Sequence, residues 1–346
     1  MLRLAACHFP PEELGTLRLL LSSGYEIVAM SLDAEGESLA DGQHAAGPGA
    51  LSANMVDGLH AAILRVGEET AFELTRRLRV FRQCHPTVPA ILVHSTRREI
   101  PLSLVLHHRI HNILLAETAF NDGGHQLCRT LYMMHDPVWG LHLENIAGHD
   151  WPIVHREIRS RADKTAVGIE MIEYLHQAQL DPGAISHVEV SLEETINNGI
   201  FHAFRDDRGR ERYHVSTFDT MTGNDALQLA WTLMGHRVIF SVTDNAGTLS
   251  LQVLADRLIR GDTGVNHADE RGRGLYLLRA LCAEVVYTVW PGRLSQTLVV
   301  IDSPAQLSRS RPLFINVIDA AHAAEAPQPP QAAVELTRPS ALGLDS

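Results

Sequence analysis

The sequence predicts a mixed α/β and α+β protein in two parts: a doubly wound parallel sheet, followed by a sandwich in which helices cover one face of a mixed sheet. In the first part, short apolar runs alternate with stretches of helical periodicity, as in parallel strands that are connected by helices and buried on both faces. In the second part, two long helical stretches precede two alternating runs that meet at Gly235-His236. Such a pair of runs is typical of a β-hairpin.

Five apolar runs are the predicted strands of the first part. They lie at residues 2–7, 26–32, 61–66, 88–94 and 113–116. Helical periodicity is found at residues 11–23, 69–83 and 125–134. Because strands and helices alternate, we expect a parallel sheet covered on both faces.

The second part is expected to begin after a connecting segment. Residues 136–160 mix Pro, Gly, His, Trp and charged residues and are predicted to be a linker. A helix is then predicted over residues 161–180, and Asp181-Pro182 breaks it and starts the next one. Residues 213–218 have strand-like composition.

Four segments follow from these patterns. They are a first domain at residues 1–135, the linker at 136–160, a second domain at 161–302 and a tail at 303–346. The tail is rich in Pro, Ala and Gln, so it is predicted to be disordered.

Composition and charge exclude several classes of function. The chain has 346 residues and a net charge of -12, which disfavours a broad electrostatic surface for nucleic acid or an anionic membrane. Its four cysteines show no CxxC spacing, so neither a zinc ribbon nor a disulfide framework is expected. No start resembles a signal peptide, and no apolar run approaches the roughly 20 residues that span a bilayer. We therefore expect a soluble, cytoplasmic protein.

A row of polar side chains follows one face of the predicted helix in SLEETINNGIFHAF. Residues four apart share a helical face, so Glu194, Asn198 and His202 form one row. The neighbouring register, Glu193 with Asn197, does not continue to a third polar residue. The row either faces a ligand or is a solvated surface, and on its own it leaves both possibilities open.

Two glycine-containing segments follow this helix. In VTDNAGTLS, Asp244 ends a predicted strand and Gly247 lies in the turn after it. In ERGRGLYLLRAL, Gly272 and Gly274 precede a helix that begins near Leu275. A carboxylate at a strand end can accept a hydrogen bond from an exocyclic amine, and a glycine-flanked helix start suits phosphate. Taken singly, each segment could also be a simple turn.

The order of these motifs, Glu-x3-Asn-x3-His, Asp-Asn-x-Gly and Gly-x-Gly-Leu, resembles the GHKL or Bergerat-fold ATPases. Over roughly residues 150–302 it is most similar to the anti-sigma-factor serine kinases, which typically have a long helix, a short break and then the Glu/Asn helix. The resemblance implies a Bergerat α/β sandwich that binds ATP and Mg²⁺.

The resemblance also implies roles for individual residues. Asn198 would hold Mg²⁺ and thereby the triphosphate, Glu194 would orient or deprotonate the attacking hydroxyl, and Asp244 would bind the adenine amino group. Residues 255–271 would form a mobile lid over the phosphates. The nucleotide pocket would be completed by His202, Gly247, Gly272, Gly274 and Leu275. The family usually has Gly where Ala246 stands, so the loop beside adenine is expected to be altered.

The first part resembles a response-regulator receiver domain in the order and lengths of its elements, over about 130 residues. A receiver needs an acidic pair after its first strand, but Cys7 and His8 stand there. The phospho-accepting Asp would fall near Arg65 or Val66, and the expected Lys is replaced around residues 117–118. Without those carboxylates we expect neither a magnesium site nor an acceptor. The prediction is a pseudo-receiver that makes contacts.

Other histidines have weaker patterns. His107 and His111 have the i, i+4 spacing of helical metal ligands, but no third ligand is suggested nearby. His155 lies too close to Asn198 in the sequence for the helical hairpin of a sensor histidine kinase. We expect ordinary surface or partly buried histidines.

Two functions are therefore predicted from different classes. The first is an ATP- and Mg²⁺-dependent protein serine/threonine kinase that acts by partner switching in bacterial signalling. Its expected partners are an antagonist protein of STAS type, a sigma factor or another regulator, with a homodimer as a further possibility and neither nucleic acid nor membrane as a partner. The alternative is a non-catalytic module in which nucleotide gates protein binding.

Overall fold

The computed structural model describes residues 2–7, 9–21, 25–30, 59–67, 69–95, 100–119, 125–148, 150–262, 273–304 and 312–318. The strands are β1 Leu2–Cys7, β2 Tyr25–Met30, β3 Leu59–Arg65, β4 Ala90–His94, β5 Asn112–Leu115, β6 Val154–Ile158, β7 Leu227–Met234, β8 Arg237–Asp244, β9 Glu284–Trp290, β10 Leu294–Asp302 and β11 Leu313–Val317. The α-helices are α1 Pro11–Leu21, α2 Ala71–Cys84, α3 Leu102–His107, α4 Ala116–Ala119, α5 His125–His135, α6 Leu143–Ala147, α7 Arg161–Gln177, α8 Pro182–Asn198, α9 Leu251–Asp262 and α10 Arg273–Leu281. A 3₁₀ turn lies at Trp139–Leu141, and a π-helical turn continues α8 at Gly199–Ala203.

The first five strands form a parallel sheet in the order β2-β1-β3-β4-β5. Every neighbouring pair in this set is parallel. This is one of the two common orders of doubly wound α/β proteins. Strand β4 is buried along its whole length, as expected when both faces are covered. The prediction of a parallel sheet is confirmed.

The second half of the sheet is antiparallel, in the order β9-β10-β8-β7-β6. The predicted hairpin is formed by β7 and β8, with Met234 opposite Arg237. Helices α7, α8 and α10 pack on one face, where Val188, Leu192 and Leu278 join the same buried cluster as Tyr287. This is the predicted layer of helices on a mixed sheet.

The opposite face of this half is covered by α5 and α6. Leu131 of α5 and Leu143 of α6 belong to the same buried cluster as Val286 and Leu298. None of the helices in the described ranges is long and apolar enough to cross a membrane.

Strand β11 joins the two halves into one sheet of eleven strands. It pairs in parallel with β9, where Phe314 lies opposite Val286, and antiparallel with β5, where Phe314 lies opposite Asn112. The prediction of disorder was wrong for these residues of the 303–346 tail. The Leu313–Val317 run is apolar and almost entirely buried, and it satisfies the open edges of β5 and β9.

The predicted linker is also more ordered than expected. Residues 136–160 include the 3₁₀ turn, α6 and strand β6, which pairs with β7 as the edge of the sheet. Alternating exposure along Val154–Ile158 is typical of an edge strand with one buried face. Conversely, residues 213–218 form turns and not a strand.

Two further contacts join the halves. Glu284 at the start of β9 is 5% exposed and accepts hydrogen bonds from Arg129 and, at 3.1 Å, from Gln126 of α5. On the other side, helix α3 packs against α9, and Val105 and Leu258 belong to one buried cluster. Helix α9 thus lies between the first half and the region of the predicted site.

Candidate functional site

Helices α7 and α8 hold the predicted Glu/Asn motif and begin at strong caps. Ser160 caps α7 in a capping box with Asp163. Asp181 caps α8, where its side chain accepts from Ala184 N at 2.9 Å and Pro182 occupies the first turn. These caps satisfy helix-end N–H groups, so the break at Asp181-Pro182 fixes where the second helix starts.

Glu193 and Asn197, one turn apart on α8, make their hydrogen bonds at the protein surface. Lys164 of α7 reaches Glu193 Oε1 at 2.6 Å and Asn197 Oδ1 at 2.7 Å, and Asn197 Nδ2 donates to Glu193 at 3.0 Å. The Glu193 side chain is 59% exposed. This trio ties α8 to α7 and does not face the predicted pocket.

The register of Glu194 and Asn198 faces inward. Asn198 Nδ2 donates to Glu194 Oε1 at 2.9 Å, which orients the amide and leaves the Asn198 oxygen available to a ligand. One turn later, His202 Nδ1 pairs with Glu211 Oε1 at 2.9 Å, and Arg205 lies 3.6 Å from the same carboxylate. Glu211 was not predicted; it lies in a loop that folds back through the pairing of Arg205 with Glu211.

A cavity lies between this helix face and the sheet. It is lined by Thr195, Asn198, Gly199, His202, Ala203, Val242, Asp244, Leu249, Leu254, Arg257, Leu275, Tyr287, Ser295 and Thr297. The structure therefore brings Asn198, His202, Asp244 and Leu275 together around one space. Its volume of about 60 Å³ is well below the roughly 300–1,000 Å³ of pockets that hold small-molecule ligands. The described residues alone thus enclose less space than a nucleotide occupies.

Asp244 lies at the end of β8 and is 7% exposed. Its Oδ1 accepts hydrogen bonds from Ala246 N at 3.0 Å and Gly247 N at 3.1 Å. Burial raises the pKa of Asp244, and the N–H groups of Gly247 and Ala246 oppose that increase. Gly247 has φ +59°, a conformation that glycine adopts without strain. The glycine that this turn requires is thus at 247, and Ala246 is compatible with it.

Gly274 lies directly against Glu194. A Cβ atom added to Gly274 would be 1.5 Å from Glu194 Oε1, so a larger residue at 274 would displace the Glu194 side chain. Glu194 itself is not among the residues that line the cavity. Gly272 lies outside the described residues, and Leu275 lines the cavity one residue after Gly274.

Helix α9 forms the wall that faces the first half of the protein. Leu254 and Arg257 line the cavity from this helix, while Leu258 is buried toward α3. The predicted lid covered residues 255–271. Its first part is the end of α9, and the rest lies outside the described residues.

Several lining residues were missed by sequence reasoning. Ser295 and Thr297 alternate along β10, and Tyr287 lies opposite Thr297 on β9. Three consecutive polar residues, Ser295, Gln296 and Thr297, in an otherwise apolar strand are a usable signal, and alternation puts the first and third on one face. Which face they share with α8 depends on strand pairing, which the sequence did not specify.

The donor groups fit a magnesium ion that is bound together with a phosphate ligand. Among the described residues, no group of three or more His, Cys, Asp and Glu side chains could hold a metal ion. Mg²⁺ in nucleotide sites commonly uses one or two protein oxygens, with phosphates and waters as the remaining ligands. The amide oxygen of Asn198, with the carboxylate of Glu194 beside it, matches that chemistry.

The carboxyl edge of the first sheet lacks receiver chemistry in the described part of the chain. Burial raises the pKa of Cys7 to about 12, although the charge of Arg77 opposes it. At the end of β3, Arg65 Nε donates to Glu13 Oε2 at 2.8 Å. His8 and the side chains of residues 117–118 lie outside the described parts.

Comparison with known proteins finds one family model that matches the part of the chain with these motifs. A family model described as "Histidine kinase-like ATPase domain" matches residues 162–300. No curated protein matches the chain. Solved structures similar to the chain include a CheY-like protein (tadZ) from Pseudomonas aeruginosa PAO1, at 14% identity and TM-score 0.29, covering 38% of this chain and 99% of that one.

Another similar structure is the RcsB response regulator of Salmonella typhimurium, at 17% identity and TM-score 0.28, covering 40% of this chain and 60% of that one. The isolated REC domain of RcsB from Salmonella enterica serovar Typhimurium has 18% identity and TM-score 0.26, covering 37% of this chain and 86% of that one. The parallel strand order β2-β1-β3-β4-β5, and not these low TM-scores, identifies the first half as doubly wound. The region at residues 162–300 is similar to histidine kinase-like ATPase domains, which indicates an ATP-binding regulatory function.

Proposed function

We propose that this protein binds ATP with Mg²⁺ at the cavity beneath α8 and transfers phosphate to a serine or threonine of a small protein partner. The observation that carries the proposal is the convergence of Asn198, His202 and Asp244 on one cavity, with Glu194 held against Asn198 at 2.9 Å. The match of residues 162–300 to a histidine kinase-like ATPase model supports nucleotide as the ligand.

Each group has a distinct task in this proposal. The Asp244 carboxylate, fixed by two backbone N–H groups, accepts from the exocyclic amine of adenine. The Asn198 oxygen holds the metal that accompanies the triphosphate. The first turn of α10, which contains Gly274, offers backbone N–H groups to phosphate. His202 and Leu275 line the remaining wall, and Gly247 holds the Asp244 carboxylate through its N–H group.

Glu194 acts as the base for the attacking hydroxyl. ATP supplies the phosphoryl group, while the protein orients the hydroxyl and accepts its proton at the Glu194 carboxylate. The partner is an antagonist of STAS type, with sequestration of a sigma factor or another regulator as the associated output. The first half contributes contacts as a pseudo-receiver, and a homodimer is compatible with this role.

A second candidate is a nucleotide-gated binding module without phosphotransfer. The position of Glu194 beside Gly274 favours it, because Glu194 does not line the cavity. The packing of α9 between the cavity and α3 also offers a route by which nucleotide changes a protein-binding surface.

Calorimetry on the full chain tests nucleotide binding. Asp244→Asn should weaken ATP and ADP alike, whereas Asn198→Ala should remove mainly the magnesium-dependent part of the affinity. Asp302→Asn is a matched control, because Asp302 pairs with Arg237 on an exposed strand end. Wild-type protein that binds no ATP at millimolar nucleotide with magnesium would rule out the proposed site.

A further inference from the structure

The hydroxyl group of Tyr287 is a buried donor without a hydrogen-bond partner among the described residues. Tyr287 is 1% exposed and lines the same cavity as Asn198. Burial raises the pKa of Tyr287, and the charge of Glu194 adds to the increase while Arg279 opposes it. Buried polar groups nearly always have hydrogen-bond partners. An unpaired hydroxyl beside a cavity therefore indicates an acceptor that reaches it when the protein binds its ligand.

The Glu194 carboxylate lies at the amino end of α10. Its Oε1 is so close to Gly274 that an added Cβ would be 1.5 Å away. The first turn of a helix has unpaired N–H groups and the positive end of the dipole. Phosphate binds at the same kind of place. A carboxylate and a phosphate repel each other there, so Glu194 has to leave Gly274 when the phosphates of a nucleotide arrive.

We propose that Tyr287 is the positioning residue that receives Glu194 after this displacement. The phosphate takes the place beside Gly274, and the carboxylate turns to the Tyr287 hydroxyl, which donates a hydrogen bond to it. The unpaired hydroxyl gains an acceptor, and the Glu194 carboxylate gains a donor. The inference rests on the proposed function, and it links arrival of the nucleotide to placement of the base.

A double-mutant cycle on ATP affinity tests the pair in the full chain with magnesium. Tyr287→Phe should weaken ATP by about 10-fold, because a hydrogen bond to a charged group is lost in the complex. In the Glu194→Ala background, which has no acceptor, the same change should alter the affinity by less than about 2-fold. Tyr276→Phe, on an exposed part of α10, should have no effect in either background.

Unfolding in urea separates positioning from a structural role. Tyr287→Phe should be as stable as the wild type or more stable, because it removes an unpaired buried hydroxyl. ATP affinity that is equal in Tyr287→Phe and wild type would overturn the inference alone, as would an equal loss in both backgrounds. Wild-type protein without ATP binding would overturn the proposed function and this inference with it.

Discussion

The turn after β8 brings Gly247 against the backbone of Arg293, so that a Cβ atom on Gly247 would be 2.2 Å from Arg293 N. Backbone atoms cannot move aside as a flexible side chain can. The N–H of the same glycine donates to Asp244, so the contact also sets the position of the carboxylate in the cavity.

Gly247→Ala is therefore expected to destabilise the protein by at least about 3 kcal/mol, through left-handed backbone strain together with the overlap. Gly235→Ala is the matched control, because Gly235 has the same φ of +59° but open space around it. That substitution should cost only about 1–2 kcal/mol. Urea unfolding measures both, and equal losses would show that the overlap is relieved elsewhere.

Glu194→Gln tests whether Glu194 is the general base for the attacking hydroxyl. The substitution keeps the shape of the side chain but removes its charge, so phosphotransfer should fall by roughly 10²-fold or more. Affinity for ATP should be unchanged or a few-fold tighter, because a negative charge leaves the amino end of α10. Rates are measured with labelled ATP and the partner protein.

Glu193→Gln supplies the control for the neighbouring register. Glu193 pairs with Lys164 on the surface, so its substitution should leave phosphotransfer unchanged. A loss in Glu193→Gln with normal rates in Glu194→Gln would assign the base to the other register. Normal rates in both would exclude both glutamates as the base, whereas the absence of phosphotransfer in the wild type would favour the nucleotide-gated module.

Acid should weaken the fold through histidines near β5. Burial lowers the pKa of His111 to about 4, and the charges of Arg82 and Arg109 add to this effect. The unfolded chain, with a histidine pKa of about 6.5, then binds more protons than the folded protein. Stability is full above about pH 6.5 and falls as the pH decreases toward 4.

His111→Gln should reduce that acid sensitivity by up to about 3 kcal/mol between pH 7 and pH 4. Urea unfolding at several pH values measures the change. His236→Gln, in the exposed turn of the β7–β8 hairpin, should leave the pH profile as it is. An unchanged profile in His111→Gln would assign the acid sensitivity to other groups.

The first half is not expected to be phosphorylated by small phosphodonors. Arg65 stands at the carboxyl end of β3, where a receiver has its phospho-accepting Asp, and its guanidinium holds the nearby Glu13 carboxylate in an ion pair. Acetyl phosphate with magnesium should leave the mass of the full chain unchanged. A stable phosphoryl adduct on a peptide from residues 1–135 would contradict the prediction.

Sequence patterns predicted the helices and strands that depend mainly on residues close to one another in the chain. Apolar runs predicted the five parallel strands, and the four-residue spacing of Glu194 and Asn198 predicted a shared helical face, on which the structure has Asn198 donating to Glu194. Strands β6 and β11 were missed because they lie within segments that were assigned as a linker and a tail, and the partners that make them strands are distant in sequence.

The same distinction applies to the candidate site. The motif residues on α8 and β8 could be found from their spacing, whereas Tyr287 and Arg257 reach the cavity through pairing and packing across the sheet. Tertiary structure separates the two registers, because Lys164 holds Glu193 at the surface while Asn198 donates a hydrogen bond to Glu194.

Strand β11 has a consequence for synthesis of the chain on the ribosome. It pairs with β5 and β9, but residues 116–312 separate it from β5. At roughly 5–20 residues per second, the edge of β5 waits about 10–40 s for its partner. An unpaired strand edge is a template for pairing with other chains. Nascent chains of this protein are thus exposed to mispairing during that interval, and a chaperone that covers the β5 edge would raise the yield of folded protein.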